Sequence, residues 1–250
     1  MKPQIKLAAA RTPDGGEMEL VQHDRDFLIR VNGQELMNSR RHESEQELAR
    51  LGCAHLSGRK AACVLIGGLG MGYTLRQALD MLGPDAHVIV SELLSAVVDW
   101  NREYLSGLNG QPLEDKRTDL IIGDVFELIA QSKNRFDAIL LDVDNGPNPI
   151  TDSGNQRLYS PTGIQACRQA LRKPGSLAIW SSTPSKVFEQ LLMRYGLHVR
   201  RYRGKPYPGS HAKPLFIYIA AEDKSILPPG GGEPRRPGQK GRMASRRTTR

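Results

Sequence analysis

The chain has 250 residues, of which 39% are hydrophobic and 25% are charged, an ordinary composition for a globular protein with one large α/β domain and a small appendage. No apolar run approaches the roughly 20 residues of a membrane span, and the N-terminus lacks the apolar core of a signal peptide. We therefore expect a cytoplasmic protein without a membrane partner. The cysteines are odd in number and not in metal-ligand spacing. They predict buried thiols and no metal site: Cys53, Cys63 and Cys167.

The net charge of +8 is concentrated near the C-terminus. Most of the excess falls within residues 228–250, which are rich in glycine, proline and arginine and leave the rest of the chain close to neutral. Such a segment cannot bury enough apolar surface to fold, so we expect residues 223–250 to form a disordered basic tail. Two alternatives stay open for the tail: a weak, non-specific contact with nucleic acid, or a solvated extension without a partner.

Residues 1–50 predict a small N-terminal unit made of a β-hairpin and a helix. Alternating apolar and polar residues predict strands at 17–22 and 27–31, and Asn32-Gly33 is typical of a hairpin turn. A helix is expected over 39–51. We expect its leucines to face inward and its glutamates to face solvent: Leu48, Leu51, Glu43, Glu45 and Glu47.

Residues 51–222 alternate strand and helix patterns, which predicts a Rossmann-like α/β domain. Strands are expected at 62–66, 87–91, 119–122, 137–141, 176–181, 197–202 and 214–220. Helices are expected at 73–82, 94–104, 124–131, 160–172 and 184–195. The last two strands are joined by a loop alone, so they should form an antiparallel end on a mainly parallel seven-stranded sheet. This arrangement is typical of the class I methyltransferase fold.

The run from Val64 to Gly72 is the strongest functional signal in the chain. A short apolar strand leads into a glycine-rich turn, a helix pattern begins at once, and Glu92 follows at the end of the next strand. In a Rossmann-type fold the glycines let the backbone approach a nucleoside, and the acid binds two ribose hydroxyls. We therefore expect a nucleoside pocket formed by the glycine loop and Glu92.

The spacing of the glycines indicates the kind of nucleoside. Gly68, Gly70 and Gly72 alternate, whereas the dinucleotide fingerprint needs G-x-G-x-x-G to seat a pyrophosphate. Alternate glycines favour a ligand without phosphates, namely S-adenosylmethionine or its decarboxylated form, over a nicotinamide dinucleotide. A tight turn without any ligand is the structural alternative.

Carboxylates also follow the third and fourth strands of this unit. Asp124 is placed to accept from an adenine amino group, although helix capping explains it equally well. Asp142 begins the loop after the fourth strand, and Asp144 follows closely. Beside a sulfonium donor, such a carboxylate would hold a protonated amine in line for transfer and take up its proton. A second carboxylate nearby would raise its pKa and make it a better base, so we predict Asp142 and Asp144 as catalytic residues.

On these motifs the chain resembles the spermidine synthases, which are polyamine aminopropyltransferases. The resemblance covers residues from about 25 to 221 and rests on a few segments: the glycine loop, Glu92, Gly123-Asp124, the strand from Phe136 to Asp142, and the run from Leu158-Tyr159 to Gly175. It implies ribose binding by Glu92, adenine binding by Asp124, acid–base catalysis by Asp142 and a gating loop after Asp142. It also implies a small-molecule amine acceptor and is compatible with a homodimer.

Three positions depart from the family pattern. Where the family's glycine loop carries an aspartate that holds the donor's amine, this chain has Gly70. Losing that charge-assisted hydrogen bond costs roughly 1.5–3 kcal/mol of binding free energy. The second acid after the catalytic strand is displaced by one residue, to Asp144, and the Tyr-His pair of the N-terminal helix corresponds to Glu45-Gln46. The fold and the nucleoside withstand these changes, but spermidine as the product does not follow.

Three functions are consistent with these residues. The first is transfer of an aminopropyl group to an amine, the second is methylation of a small molecule by S-adenosylmethionine, and the third is nucleoside binding without catalysis. Retention of both Glu92 and Asp142 argues against the third. Gln156 and Tyr159 lie where the gating loop should rejoin a helix, which makes them candidates for the acceptor site.

Overall fold

The computed structural model describes residues 3–143, 146–147, 154–204 and 214–233. Within these ranges the chain forms an N-terminal antiparallel sheet of four strands and a larger sheet of seven strands. The N-terminal sheet is a meander whose strands pair in chain order: β1 Gln4–Arg11, β2 Glu17–His23, β3 Asp26–Val31 and β4 Gln34–Asn38.

The predicted strands at 17–22 and 27–31 form the central pair of this meander, β2 and β3. The flanking strands β1 and β4 are missing from the sequence prediction. β1 is an edge strand without a fully buried residue, and its three consecutive alanines blur the alternation that would mark a strand. β4 has five residues, three of them exposed. The expected hairpin is therefore the centre of a larger sheet.

The larger sheet has the strand order β10-β11-β9-β8-β5-β6-β7. Its strands are β5 Cys63–Gly67, β6 His87–Glu92, β7 Thr118–Ile122, β8 Phe136–Leu141, β9 Leu171–Ser181, β10 His198–Gly204 and β11 Leu215–Ala221. The five strands β5 to β9 pair in parallel, and β11 and β10 add an antiparallel edge. The predicted fold class is confirmed: a Rossmann-like, mainly parallel sheet with an antiparallel end.

Helices cover both faces of the larger sheet, as continuous apolar strands such as β5 and β8 require. They are α1 Glu43–Cys53, α2 Tyr73–Met81, α3 Ser95–Glu103, α4 Ser106–Asn109, α5 Val125–Ala130, α6 Pro161–Ala170 and α7 Lys186–Arg194. One apolar cluster joins the sheet to α1, α2 and α3, and a second joins it to α5, α6 and α7. In the described ranges, none of the helices has the length and apolar character needed to cross a bilayer.

α6 ends earlier than the predicted helix over 160–172. Ser160 caps its start by accepting a hydrogen bond from the Gly163 amide at 3.2 Å, but the chain is already extended at Leu171, where β9 begins. A residue that precedes proline avoids the helical region, so Pro174 limits how far the helix can continue.

α1 packs on the larger sheet, although the sequence analysis groups it with the N-terminal unit. Gly52 lies so close to the sheet that an added Cβ would be 2.9 Å from the Cβ of Ala178. Ser176 in β9 donates a hydrogen bond to the Gly52 carbonyl at 2.8 Å. Because this contact holds the last turn of α1 near the starting ends of the strands, the first turn of the helix lies near their carboxyl ends.

Residues 223–233 differ from the expectation of a disordered tail. Leu227 is buried, and the Tyr202 hydroxyl donates to the Pro228 carbonyl at 2.5 Å. The backbone of Gly232 pairs with that of Arg201 through hydrogen bonds of 2.8 and 2.9 Å. The average composition of the segment conceals the short apolar stretch that makes this contact. Residues 234–250 lie outside the described part of the chain.

Candidate active site

The carboxyl ends of β5, β6, β7 and β8 border a cleft of about 780 Å³, a volume that includes space open to solvent. The carboxyl edge of a parallel sheet is where α/β proteins bind ligands. Most of the predicted donor-binding residues line this cleft together with Asp142: Gly68, Gly70, Glu92 and Asp124. The opposite wall consists of apolar side chains from the N-terminal sheet: Met18, Ile29, Leu36 and Met37.

The glycine loop needs its glycines for both conformation and space. Gly68, Gly70 and Gly72 all have positive φ angles, of 87°, 52° and 80°, which residues with a Cβ rarely adopt. A Cβ on Gly68 would lie 2.5 Å from the Asp142 carbonyl oxygen, and one on Gly70 would lie 2.7 Å from Cε of Met37. Gly72 is the N-cap of α2 and is not among the residues that line the cleft. The loop is therefore pressed directly against the end of β8.

Two asparagines that the sequence analysis did not identify hold this loop from behind. Asn101 of α3 donates to the Gly70 carbonyl at 2.8 Å, and Asn109 of α4 donates to the Met71 carbonyl at 2.7 Å. Both side chains are buried, and buried amides of this kind are usually fully hydrogen-bonded. A polar residue on a helix is normally a surface residue, so the sequence carried no clear signal for this role.

Glu92 lies at the end of β6 and is buried. One carboxylate oxygen accepts a hydrogen bond from the Leu69 amide at 2.9 Å, and the other accepts one from the Leu94 amide at 2.9 Å. Each oxygen has a second lone pair that these amides do not use. Glu92 thus fixes the glycine loop and still presents hydrogen-bond acceptors to the cleft.

Asp124 is the N-cap of α5, where its carboxylate accepts from the Phe126 amide at 2.7 Å. The other carboxylate oxygen forms an ion pair with Arg157. Arg157 also pairs with Glu127 at 2.9 Å and stacks over the Phe126 ring. Helix capping, which the sequence analysis kept as an alternative, therefore occurs here, and Asp124 lines the cleft as well.

Asp142 follows β8 directly and lies between the glycine loop and α2. Its backbone amide donates to the Gly67 carbonyl at 2.9 Å, and its side chain accepts from the Thr74 hydroxyl at 2.6 Å. Burial raises the pKa of Asp142 to about 6, whereas the Thr74 hydrogen bond acts in the opposite direction. A carboxyl with this pKa can both hold and release a proton near neutral pH.

Glu45 lies beside Asp142. The expectation that its side chain faces solvent is therefore wrong. Residues two apart on a helix point about 200° apart, so Glu43, Glu45 and Glu47 cannot all share one face. The Glu45 carboxylate accepts from the Ser44 hydroxyl at 2.5 Å. Burial raises the pKa of Glu45 to about 8, and the negative charge of Asp142 adds to the rise. The helical periodicity is the signal that could have found this residue.

A smaller cavity extends the cleft beyond the glycine loop, with a volume of about 250 Å³ that includes space open to solvent. It shares Met37, Gly70 and Asp142 with the cleft and is otherwise lined by residues of β4, α1, the glycine loop and the start of α2: Asn38, Glu45, Leu69, Met71 and Tyr73. The two cavities meet at Asp142, so a ligand that fills the cleft can extend one group toward Glu45.

Other predicted site residues lie away from these cavities or outside the described chain. Tyr159 is buried in the second apolar cluster, and its hydroxyl donates to the Val143 carbonyl at 3.2 Å. Gln156 is exposed. Asp144 lies outside the described residues. Within the described ranges, no group of three His, Cys, Asp or Glu side chains is arranged to hold a metal ion.

Known protein families and proteins share sequence similarity with this chain. The family model described as the spermine/spermidine synthase domain matches residues 45–193, which is more than half of the chain. A polyamine aminopropyltransferase of Saccharolobus islandicus is 33% identical over 132 residues, covering 53% of this chain and 42% of the relative. Polyamine aminopropyltransferase 1 of Pseudomonas aeruginosa is 31% identical over 140 residues, covering 55% and 45%. The chain thus spans less than half the length of these curated relatives.

Solved structures share the fold across a larger part of the chain. The spermidine synthase of Thermotoga maritima superimposes with a TM-score of 0.68 at 20% identity, over 90% of this chain and 76% of the other. A spermidine synthase in complex with the transition-state analogue AdoDATO gives 0.67 at 19% identity, with the same coverage. At this level of identity the likeness concerns the fold.

Proposed function

Because the chain belongs to the spermine/spermidine synthase family, we propose that it is an aminopropyltransferase. In this proposal it moves the aminopropyl group of decarboxylated S-adenosylmethionine to a small-molecule amine. The names of the curated relatives favour this reaction over methylation and over binding without catalysis. Asp142, a carboxyl at the point where the two cavities meet, is the observation that carries the proposal.

The adenosyl part of the donor suits the larger cleft. Glu92 accepts two ribose hydroxyls through its unused lone pairs, as acids at this strand end do in related folds. Gly68 and Gly70 let the loop backbone lie against the nucleoside. Asp124 also lines the cleft, where it would receive the adenine amino group. The sulfonium then lies near Asp142.

Transfer requires an amine without its proton, placed in line with the carbon under attack. An aliphatic amine has a pKa near ~10 and is almost fully protonated at neutral pH. Asp142 attracts this cation, orients it and takes up its proton. The nitrogen lone pair then forms a bond to the aminopropyl carbon on sulfur. The carbon–sulfur bond breaks, its electrons return to sulfur, and neutral methylthioadenosine leaves.

The remaining predictions extend this proposal to residues and partners that nothing yet tests. Asp144 would assist Asp142, and Gln156 and Tyr159 would line an acceptor site beside the two cavities that the described residues form. Tyr159 has a further role available, because its hydroxyl holds the carbonyl of the residue after Asp142. A homodimer and a weak nucleic-acid contact through the basic tail also stay predictions.

A transfer assay with Asp142→Asn tests the proposal. The protein is incubated with decarboxylated S-adenosylmethionine and a series of diamines, and the N-aminopropyl product and methylthioadenosine are quantified by mass spectrometry. We expect equal amounts of both products from the wild type and a loss of about 10²–10⁴-fold in kcat/KM for D142N. The control is Asp119→Asn, because Asp119 is half-exposed on the edge strand β7.

Two results would contradict the proposal. The first is a wild-type protein that forms no aminopropylated product with any diamine. The second is a D142N variant as active as D119N, which would mean that the carboxyl at the end of β8 plays no part in the transfer.

A further inference from the structure

The smaller cavity contains two carboxyl groups and no basic side chain among the described residues that line it. Asp142 enters from the end of β8 and Glu45 from the first turn of α1. Thr74 links the two sides, since its hydroxyl donates to the Asp142 carboxylate at 2.6 Å and approaches the Glu45 carbonyl at 3.4 Å. Two acids are therefore held together without an internal cation from the described residues.

Each of these carboxyl groups has an oxygen available to a ligand. One Glu45 oxygen accepts from Ser44 and one Asp142 oxygen accepts from Thr74. The second oxygen of each group accepts no hydrogen bond from another residue within the part of the chain that the structure describes. A partly buried carboxylate with an unused oxygen is stabilised by a cation that brings its own N–H donors.

The described groups that surround Glu45 do not neutralise it. Tyr73 of α2 lines the same cavity, and burial together with the charges of Glu45 and Asp26 raises the pKa of its hydroxyl. His42, just before α1, stacks on the Tyr73 ring at 4.1 Å and hydrogen-bonds to the Ser39 carbonyl through Nδ1. Asn38 from β4 is neutral. The field in the cavity is therefore negative.

The pair shares a proton near neutral pH. The pKa of Glu45 is raised to about 8 and that of Asp142 to about 6, chiefly by burial. A positively charged ligand between them would favour the ionised form of both groups and release the shared proton.

We propose that Glu45 is a specificity-determining residue that, together with Asp142, binds a primary alkylammonium group in this cavity. The proposal rests on the function proposed above and deepens it. The apolar side chains of Met37, Leu69 and Met71 suit the methylene groups of such a ligand. The same pair of acids repels a carboxylate, which separates a decarboxylated donor from S-adenosylmethionine itself.

The ammonium group has two sources, namely the aminopropyl group of the donor and the amine acceptor. Calorimetric titrations of the full chain distinguish them, with methylthioadenosine, decarboxylated S-adenosylmethionine, and 1,4-diaminobutane in the presence of methylthioadenosine. The variants are Glu45→Gln, Glu45→Asp and the control Glu47→Gln. Glu47 lies on the same helix but pairs with Arg50 at 2.9 Å. Each titration is repeated in two buffers of different ionisation enthalpy, which counts the protons released.

For E45Q we expect unchanged affinity for methylthioadenosine, which carries no ammonium group and reports correct folding. Affinity for the donor or for the diamine should fall about 10- to 100-fold, the loss typical of one charge-assisted hydrogen bond. A selective loss for the donor assigns the cavity to its aminopropyl group, and a selective loss for the diamine assigns it to the acceptor. Proton release should disappear in E45Q, persist in E47Q and be partly restored in E45D.

Several outcomes would overturn the inference. It fails if E45Q binds both ammonium ligands as the wild type does, or if the wild type binds neither of them. Aminopropyl transfer by wild type and E45Q with equal donor and diamine affinities would leave the proposed function intact while refuting the role of Glu45. If E45Q loses ammonium binding but the wild type transfers no aminopropyl group, the role of Glu45 stands and the proposed function is refuted.

Discussion

Replacing Glu45 by glutamine is expected to stabilise the protein above neutral pH and to leave its stability near about pH 5 almost unchanged. Burial and the charge of Asp142 raise the pKa of Glu45 from 4.5 to about 8. Between these values the folded protein retains a proton that the unfolded chain has lost, so the free energy of unfolding falls as the pH rises. Glutamine carries no charge at any pH, so this decrease in the free energy of unfolding does not occur in E45Q.

The size of the effect follows from the pKa shift. One pKa unit corresponds to about 1.4 kcal/mol, so the full shift sets an upper limit of about 5 kcal/mol. Glu45 is only partly buried, so solvent screening reduces this limit. We therefore expect the free energy of unfolding of E45Q to exceed that of the wild type by about 2 kcal/mol at high pH.

Urea unfolding of the wild type, E45Q and E47Q at about pH 5, 7 and 9 measures the difference. Glu47 faces away from the cavity in its ion pair with Arg50, so E47Q should keep the pH slope of the wild type. Parallel pH slopes for the wild type and E45Q would refute the reasoning. They would mean that the Glu45 carboxyl ionises as freely in the folded protein as in the unfolded chain.

Three further changes test separate parts of the structure. Glu92→Gln should weaken methylthioadenosine binding about 10- to 100-fold in calorimetry, because a buried carboxylate loses its charge-assisted hydrogen bonds. An affinity within about twofold of the wild type would argue against ribose binding by Glu92. Thr74→Val removes a hydrogen bond that lowers the pKa of Asp142, so the acidic limb of the kcat/KM profile should move up by about one pH unit. Asp137→Ala should cost about 3–5 kcal/mol in urea unfolding, because it breaks a fully buried carboxylate's pairs with two arginines. Methylthioadenosine affinity should stay the same, since Asp137 lies at the other end of β8.

The sequence was sufficient to predict the larger sheet because each of its elements carries a strong local pattern. β5 and β8 are continuous apolar runs that only a doubly covered sheet explains. The glycine loop and Glu92 have a spacing that depends on the backbone alone, so their arrangement could be anticipated without knowledge of the packing. The family was confirmed on the same segments.

The features that the sequence did not reveal depend on tertiary contacts. β1 and β4 are short or exposed strands. Their hydrogen bonding to β2 and β3 determines that they are strands more than the hydrophobic pattern of their own residues does. Glu45 reaches Asp142 only because Gly52 lets α1 pack closely on the sheet. Asn101 was hidden in the same way, since its role is defined by a loop distant in the sequence.

Calorimetric titration with methylthioadenosine and S-adenosylhomocysteine separates an aminopropyl donor pocket from a methyl donor pocket most directly. The two molecules share the adenosine that Glu92 would bind, but only the second carries an amino-acid carboxylate. Asp142 and Glu45 together should repel that carboxylate, so we predict that methylthioadenosine binds at least about tenfold more tightly. Tighter binding of S-adenosylhomocysteine would contradict aminopropyl transfer and would favour a methyltransferase on this fold.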